Sequence, residues 1–278
     1  MSRKKLLFGT AGAPKSTKKR DTVSGIECVK ELGLECMEVE FVRGVKMGEK
    51  KAQEVREVAL EKKIVLSVHA PYYINLNSPD KAEVSRKRIF DSAKIGSICG
   101  AKDIVFHAAF YMKNSPESVY NIVKKEIESI IDELGSNGIE AALRPETTGK
   151  KTQFGTVEEL ITLGSELEGI IPCIDFSHIY ARSRGAVNSY DSFLNVLEKM
   201  EETLGEEAIR NMHIHLSGIE YGKGGERNHR NLRESDFNYI DVLKALVEFN
   251  AEGKVVCESP NLEEDAILLK KSYEELSE

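Results

Sequence analysis

Short apolar runs alternate with longer amphipathic stretches along this chain of 278 residues. Runs of roughly four to eight apolar or alternating residues predict strands, whereas apolar positions three and four apart predict helices. The pattern predicts eight strands, at residues 4–9, 34–42, 63–69, 102–107, 140–146, 169–175, 210–217 and 253–259. It predicts a helix after each strand, near residues 22–32, 48–62, 80–99, 117–137, 157–168, 190–204, 237–250 and 262–276.

Local signals indicate where several of these helices begin. Ser78 and Ser115 each precede a proline, which is the pattern of an N-cap followed by the first helical position. Thr156 and Glu159 have the spacing of a capping box. Strands that alternate with helices predict a parallel sheet, and eight such units are the number that closes a (β/α)₈ TIM barrel.

Composition fits a single TIM-barrel domain, which we expect to span residues 1–278. The main alternative, an open doubly wound α/β sheet, favours a Gly-x-Gly-x-x-Gly turn after its first strand, and residues 9–19 lack that turn. No apolar run approaches ~18 residues, so we expect no membrane span. Five cysteines without a Cys-x-x-Cys pair predict reduced thiols and a cytoplasmic protein.

Residues of the types that bind metals stand at the predicted carboxyl ends of six strands. They are His69, His107, Glu146, Asp175, His215 and Glu258. Five of the chain's six histidines share the pattern, because His178 follows Asp175 and His229 lies in a later glycine-rich segment. A single histidine at a strand end is more often structural, but six such ends meet on one face of a barrel and indicate a metal site.

The ligand types restrict which metal ions can bind and indicate a carboxylate that bridges two ions. Imidazole and carboxylate ligands suit Zn²⁺, and Mn²⁺ or Fe²⁺ also accept this mixture. Two or three ions in one site need a bridging carboxylate, for which Glu146 is the natural candidate. Strand alternation places His213 one layer beneath His215, and it places Cys173 beneath Asp175.

The loops expected at the carboxyl ends of the strands are basic, although the net charge of the chain is −7. They contain two acids, Glu220 and Glu226, and fifteen basic residues. The basic residues are Lys15, Lys18, Lys19, Arg20, Arg43, Lys46, Lys113, Lys150, Lys151, Arg182, Arg184, Lys223, Arg227, Arg230 and Arg233. An acidic body with a basic active face is typical of a protein that binds a phosphate backbone.

Six motifs resemble, in the same order, those of the endonuclease IV family of metal-dependent apurinic/apyrimidinic endonucleases. They are HAPYYINL (69–76), IVFHAAF (104–110), RPETTGK (144–150), IDFSH (174–178), MHIHLSG (212–218) and CESP (257–260). The resemblance implies a TIM barrel with three metal ions, usually zinc. It implies that the first ion is held by His69, His107 and Glu146, the second by Glu146, Asp175, His215 and Glu258, and the third by His178 and His229.

The chain departs from the family at the third ion. The family has Asp-x-His there, whereas the residue two before His229 is Arg227, which cannot bind a cation. Glu226 is the possible substitute if the loop shifts. The resemblance also implies that Tyr72 and Tyr73 belong to a loop that enters the minor groove of DNA at the lesion. Arg43 is a further candidate contact on the lesion side.

The leading hypothesis is a DNA repair endonuclease that hydrolyses the phosphodiester 5′ to an abasic site in duplex DNA, acting as a monomer with two or three ions. Glu146 would orient the attacking water. The main alternative is a xylose-isomerase-like sugar isomerase or epimerase, because Glu146, Asp175, His215 and Glu258 also form a tetrad that can hold one divalent ion. A module that binds damaged DNA without cutting it is a further alternative.

Overall fold

The computed structural model describes residues 6–278, in which eight parallel strands form the wall of a barrel. The strands are β1 (Leu6–Ala11), β2 (Cys36–Glu40), β3 (Val65–His69), β4 (Asp103–Phe106), β5 (Ala142–Pro145), β6 (Cys173–Asp175), β7 (Met212–Leu216), β8 (Gly218–Gly222), β9 (Gly225–Arg230) and β10 (Gly253–Cys257). Strands β8 and β9 form a separate antiparallel hairpin, and the other eight form the wall.

Ten helices accompany the strands over the described residues. They are α1 (Thr22–Glu31), α2 (Glu49–Lys62), α3 (Ala82–Cys99), α4 (Pro116–Ser136), α5 (Val157–Glu166), α6 (Phe176–Arg182), α7 (Tyr190–Leu204), α8 (Glu206–Arg210), α9 (Tyr239–Glu248) and α10 (Glu263–Ser277). Their apolar stripes cover the outside of the wall. In α4, for example, the buried positions recur three and four residues apart, from Val119 to Leu134.

The wall closes into a ring. Its strands follow the order β5-β4-β3-β2-β1-β10-β7-β6. The remaining gap between β5 and β6 is joined by a parallel bridge from Glu146 to Cys173, and the Thr147 N–H donates to the Cys173 carbonyl at 3.0 Å. The predicted barrel is therefore confirmed, and the closing bridge falls on the residue predicted to lie at the centre of the metal site.

Most element boundaries agree with the sequence patterns, with some corrections. Ser115 caps α4 and Thr156 forms the predicted capping box of α5. The prediction for Ser78 is wrong, because α3 begins at Ala82 and Ser78 lies in the preceding turn, where its carbonyl accepts from the Lys81 and Ala82 N–H groups. The β8–β9 hairpin and the short helices α6 and α8 are additional elements, and residues 4–5 of the first predicted strand lie outside the described residues.

The inside of the barrel is unusually polar. Barrel interiors are normally filled by bulky branched side chains, but here Glu38, Asp103, Arg144, His213 and Lys254 are all buried. Arg144 Nε lies 2.7 Å from Asp103 Oδ1, and Lys254 also pairs with Asp103. Buried charges are tolerated when they are paired in this way. A connected set of ionisable groups therefore extends beneath the carboxyl-terminal face.

Within residues 6–278, no helix combines the length and apolar character that a bilayer crossing requires. All five cysteines are free thiols, and four of them are buried. Burial raises the pKa of the Cys257 thiol to about 12, which suits its place in the hydrophobic core.

Candidate metal centre

The carboxyl ends of β3, β4 and β5 bring the first predicted ligand set together. His69 Nε2 lies 3.1 Å from Glu146 Oε2, and His107 Nε2 lies 2.9 Å from the same oxygen. One donor atom from each of the three residues lies within 4.8 Å of the others. His69 and Glu146 are buried, whereas His107 is partly exposed at the mouth of the barrel. The group has the size and donor chemistry of a site for one divalent ion.

Glu146 also belongs to the second predicted set. Its other oxygen, Oε1, lies 3.3 Å from His215 Nδ1, which is itself 3.4 Å from Glu258 Oε1. Asp175 completes a group of four donors within 4.8 Å of one another. The two oxygens of Glu146 therefore face different ligand sets, which is the arrangement that a bridging carboxylate requires.

Asp175 shows how the sequence positions the neighbouring ligand. Its Oδ1 caps α6 by accepting the His178 N–H at 2.7 Å, which turns the chain so that His178 faces the centre. His178 Nδ1 lies 2.9 Å from the Thr147 carbonyl. The second oxygen, Asp175 Oδ2, is buried 3.3 Å from His178 Nδ1 and accepts no hydrogen bond within residues 6–278. An unsatisfied buried carboxylate oxygen among histidines fits a cation at this place.

The third predicted set is also assembled, and Glu226 is part of its surroundings. His178, His229 and Glu258 offer donor atoms within 4.8 Å of one another. Glu226 Oε2 lies 3.6 Å from His178 Nε2, and Glu226 Oε1 lies 4.0 Å from His229 Nε2. Arg227 turns outward instead, 3.6 Å from Glu220.

A bulge in the β8–β9 hairpin explains why the Glu226 side chain lies beside His178 and His229. In the ladder, Glu220 opposes Asn228 and Tyr221 opposes Glu226, so Arg227 is an extra residue on β9. An extra residue shifts the alternation of side chains along a strand. Glu226 therefore lies on the same side as His229, although the two are three positions apart.

Sequence reasoning missed a carboxylate beneath the centre. Glu38 Oε1 lies 3.0 Å from His215 Nε2, and Glu38 Oε2 lies 2.9 Å from His213 Nε2. The Ser67 hydroxyl donates to Glu38 Oε2 at 2.8 Å. Because His215 Nε2 faces Glu38, its Nδ1 is the atom that faces Glu146 and Glu258. His213 lies below the centre, as its position in β7 predicts.

A second missed carboxylate, Glu40, lies at the end of the same strand. Its Oε1 is buried without a hydrogen-bond partner among the described residues, and the side chain groups with Glu38 and Glu258. Glu38 and Glu40 share strand parity, so the alternation in LECMEVEF was the available signal. That signal was weak because the carboxyl end of β2 carries no histidine.

The carboxylates and histidines shift one another's pKa values. Burial alone raises the pKa of Glu146, but the neighbouring His107 and His215 hold it well below its usual range. Burial raises the pKa of Asp175 to about 6 and that of Glu40 to about 8. Burial opposes the charged form of His69, yet its contacts with Glu146 and Glu40 raise its pKa to about 10. At neutral pH, His69 and Glu40 of the metal-free centre therefore hold protons, which offset part of the negative charge of the carboxylates.

The predicted nucleic-acid contacts lie around this centre. Tyr72 and Tyr73 are exposed, and the Tyr72 ring lies 5.8 Å from the His69 ring. Arg43 is exposed on the loop after β2. Fourteen of the fifteen loop cations are exposed, and within residues 6–278 only Arg227 and Arg230 form ion pairs, both with Glu220. Most of these cations are thus free to meet an anionic ligand.

Arg182 is the partly buried exception and has a structural role. Its guanidinium donates to the carbonyl oxygens of Lys150 and Gln153 at 2.6 and 2.9 Å and to the Thr148 hydroxyl at 3.0 Å. The loop after β5 is thereby fastened to α6. The same loop holds the hairpin, because the Glu226 N–H donates to the Gly149 carbonyl at 2.9 Å.

Comparison with known proteins identifies the family of the chain, one relative of unknown function and one probable endonuclease. A sequence model of the xylose isomerase-like TIM barrel family matches residues 26–276. The chain is 54% identical over 273 residues to the uncharacterized protein MJ0133 of Methanocaldococcus jannaschii, covering 98% of each. It is 26% identical over 202 residues to a probable endonuclease 4 of Mycoplasma mobile, covering 70% of this chain and 69% of that protein.

Solved structures resemble the barrel without separating two functional classes. A D-tagatose 3-epimerase-like protein has a TM-score of 0.74 at 17% identity, covering 98% of this chain and 97% of that chain. Endonuclease IV from Thermus thermophilus has a TM-score of 0.74 at 18% identity, covering 97% of this chain and 98% of that chain. Similarity at this level of identity concerns the fold alone.

Proposed function

The chain belongs to the xylose isomerase-like TIM barrel family, and from that premise we propose that it is a metal-dependent endonuclease that cuts duplex DNA 5′ to abasic sites. One observation carries the proposal. Two further ligand sets, one around His69 and His107 and one around His178 and His229, flank the tetrad that a single ion would need. The sequence similarity to a probable endonuclease 4 supports the same class.

The proposed cofactor is two or three divalent ions per chain, Zn²⁺ in the first place, with Mn²⁺ and Fe²⁺ as alternatives. His69, His107 and Glu146 would hold the first ion, and Glu146, Asp175, His215 and Glu258 the second. His178 and His229, with Glu226, would hold the third. When bound, such ions lower the pKa of water to about 7 and neutralise charge on a phosphodiester.

The protein's own groups bind and orient the substrate. Exposed cations on the surrounding loops, including Lys150 and Lys151 in the loop after β5, would bind backbone phosphates. Glu146 faces both flanking ligand sets, lying 2.9 Å from His107 and 3.2 Å from His178, and would hold the attacking water in line with the phosphorus atom. The products would be a 3′-hydroxyl and a 5′-deoxyribose phosphate. We propose that water attacks directly, without a covalent protein intermediate.

Replacing Glu146 with glutamine tests this assignment. The substrate is a duplex with one tetrahydrofuran site. Glu140→Gln is the matched control, because Glu140 precedes β5 and Glu146 follows it. We expect Glu146→Gln to abolish nicking and Glu140→Gln to nick like the wild type. Nicking by Glu146→Gln at the wild-type rate would remove Glu146 from the mechanism.

A sugar isomerase or epimerase is the second candidate, and Glu40 is the observation that favours it. An extra carboxyl group beside the centre suits hydrogen bonds to sugar hydroxyls. The equal TM-score of the epimerase-like structure is compatible with this reading. Elemental analysis of the purified protein separates the two: two or three ions per chain favour the endonuclease, and one favours the sugar enzyme.

A further inference from the structure

Five exposed apolar side chains lie on the loops that follow β2, β3 and β4, at the mouth of the barrel. They are Val42 (40% exposed), Tyr72 (54%), Tyr73 (60%), Phe110 (36%) and Met112 (62%), and we call them the apolar edge. Over residues 6–278, only three other large apolar side chains are comparably exposed, all of them outside these loops. Single exposed apolar residues are ordinary, but a group of them marks a surface that contacts something.

The apolar edge is held in place by hydrogen bonds between its loops. Asn75 Oδ1 accepts the Phe110 N–H at 3.1 Å, and Asn75 Nδ2 donates to Met112 Sδ at 3.6 Å. Asn77 Nδ2 donates to the Phe110 carbonyl at 2.8 Å. Because side-chain amides tie the loop after β3 to the loop after β4, the exposed side chains are presented by a fixed backbone.

The backbone at Met112, whose side chain is exposed, is strained. Its φ is 53°, a left-handed conformation that non-glycine residues rarely adopt. The conformation is held on both sides, since the Tyr111 N–H donates to Thr152 and the Asn114 N–H donates to Tyr111, at 2.9 and 3.0 Å. Strain that the surroundings maintain in this way is common where a protein contacts a ligand.

The chemistry around the apolar edge indicates what it contacts. The edge begins beside the candidate metal centre, where the Tyr72 ring approaches His69. Arg43 directly follows Val42 and Lys113 directly follows Met112, and both cations are exposed. Exposed aromatic and apolar side chains next to cations complement nucleobases flanked by phosphates.

We propose that the apolar edge packs against the unstacked nucleobases that flank the lesion, with Phe110 and Met112 acting as a second wedge beside Tyr72 and Tyr73. The inference rests on the proposed function, because it requires abasic duplex DNA in the mouth of the barrel. Side chains inserted at a base step open the stack and kink the duplex. Two wedges on one fixed support would open the stack next to the lesion more fully than a single loop.

The test combines the double variant Phe110→Ala/Met112→Ala with a duplex that carries 2-aminopurine beside one tetrahydrofuran site. Leu60→Ala, a comparably exposed apolar truncation on α2, is the matched control. Metal-loaded wild type and Leu60→Ala should bind the duplex and brighten 2-aminopurine as it unstacks. The double variant should bind about tenfold more weakly, within the range for one lost stacking contact, and should leave 2-aminopurine dim at saturation.

The outcomes separate this inference from the proposed function. Wild-type binding and nicking, with equal affinity and equal brightening in the double variant, would overturn the second wedge and leave the endonuclease intact. A wild type that neither binds nor nicks the duplex would overturn both. Light scattering is the remaining check: a wild-type dimer that the double variant converts to a monomer would assign the apolar edge to self-association and overturn the inference.

Discussion

Replacing Glu38 with alanine should weaken metal binding and destabilise the metal-free barrel, although Glu38 is not among the proposed ligands. The carboxylate is fully buried between His213 at 2.9 Å and His215 at 3.0 Å, and it accepts from Ser67 at 2.8 Å. A carboxylate on the far nitrogen of a metal-binding histidine fixes its tautomer and its orientation. Glu38 therefore positions His215 with Nδ1 towards Glu146.

The size of both effects follows from these contacts. Removal of one partner from a buried ion pair costs about 3–5 kcal/mol. Unfolding entropy of about 2.1 cal/mol/K per residue gives a chain of this length about 0.6 kcal/mol/K, so we expect Tm of the metal-free protein to fall by about 5–9 °C. Loss of the carboxylate behind a metal-binding histidine should also lower affinity at that site by about 10–100-fold.

Two measurements check this prediction. Calorimetry of the metal-stripped protein gives the change in Tm, and chelator competition with Zn²⁺ gives the affinity of each site. Ser67→Ala is the control, because it removes one hydrogen bond of about 1 kcal/mol and leaves both histidine contacts. An affinity for Zn²⁺ equal to that of the wild type in Glu38→Ala would refute the positioning role, whatever happens to Tm.

Three further predictions concern the third ligand set, the basic loops and the proton balance of the centre. Glu226→Gln should lower the number of bound Zn²⁺ ions per chain by one in elemental analysis, and an unchanged number would exclude Glu226 as a ligand. Lys150→Ala should reduce the slope of log K against log salt for duplex DNA by about 0.9, the value for one phosphate contact; an unchanged slope would place Lys150 outside the interface. In metal-stripped protein, the pKa of His69 is about 10, whereas in the unfolded chain it is near 6.5. Protonated His69 therefore stabilises the folded state. This contribution is complete below pH 6.5 and is lost as pH rises through 10. The raised pKa of Asp175, about 6, acts in the same direction from about pH 4 to 6. Tm of the stripped protein should therefore fall between pH 6.5 and 10, while bound Zn²⁺ should flatten the curve; a stripped protein with a pH-independent Tm would contradict the proton balance.

Much of the barrel and its ligand sets could be predicted from sequence because both depend on local periodicity. A buried strand followed by a helix is repeated eight times, and each repeat places its strand end on the same face. His69, His107 and His215 could be located because each one ends an apolar run. The structure brings them together with Glu146 as the spacing predicts.

The parts that were missed depend on contacts between distant segments. The β8–β9 hairpin was missed because GIEYG and GERNHR have few apolar residues, and its pairing depends on a bulge that no local pattern reveals. Glu38 lies inside a predicted strand, and no local pattern there marks it as a neighbour of His215. Its function becomes visible only where β2 and β7 face each other across the barrel. Ser78 has a capping sequence, but α3 begins four residues later, at Ala82, after a turn.

Nicking of a tetrahydrofuran-containing duplex by metal-restored wild-type protein tests the central claim most directly. Stripped protein is supplied in turn with Zn²⁺, Mn²⁺ and Fe²⁺, and the cut is mapped on the lesion strand. The account predicts no cutting without metal and one cut immediately 5′ to the lesion, with a 3′-hydroxyl end, once metal is restored. An intact strand with all three metals would contradict it, and so would a cut that ignores the lesion.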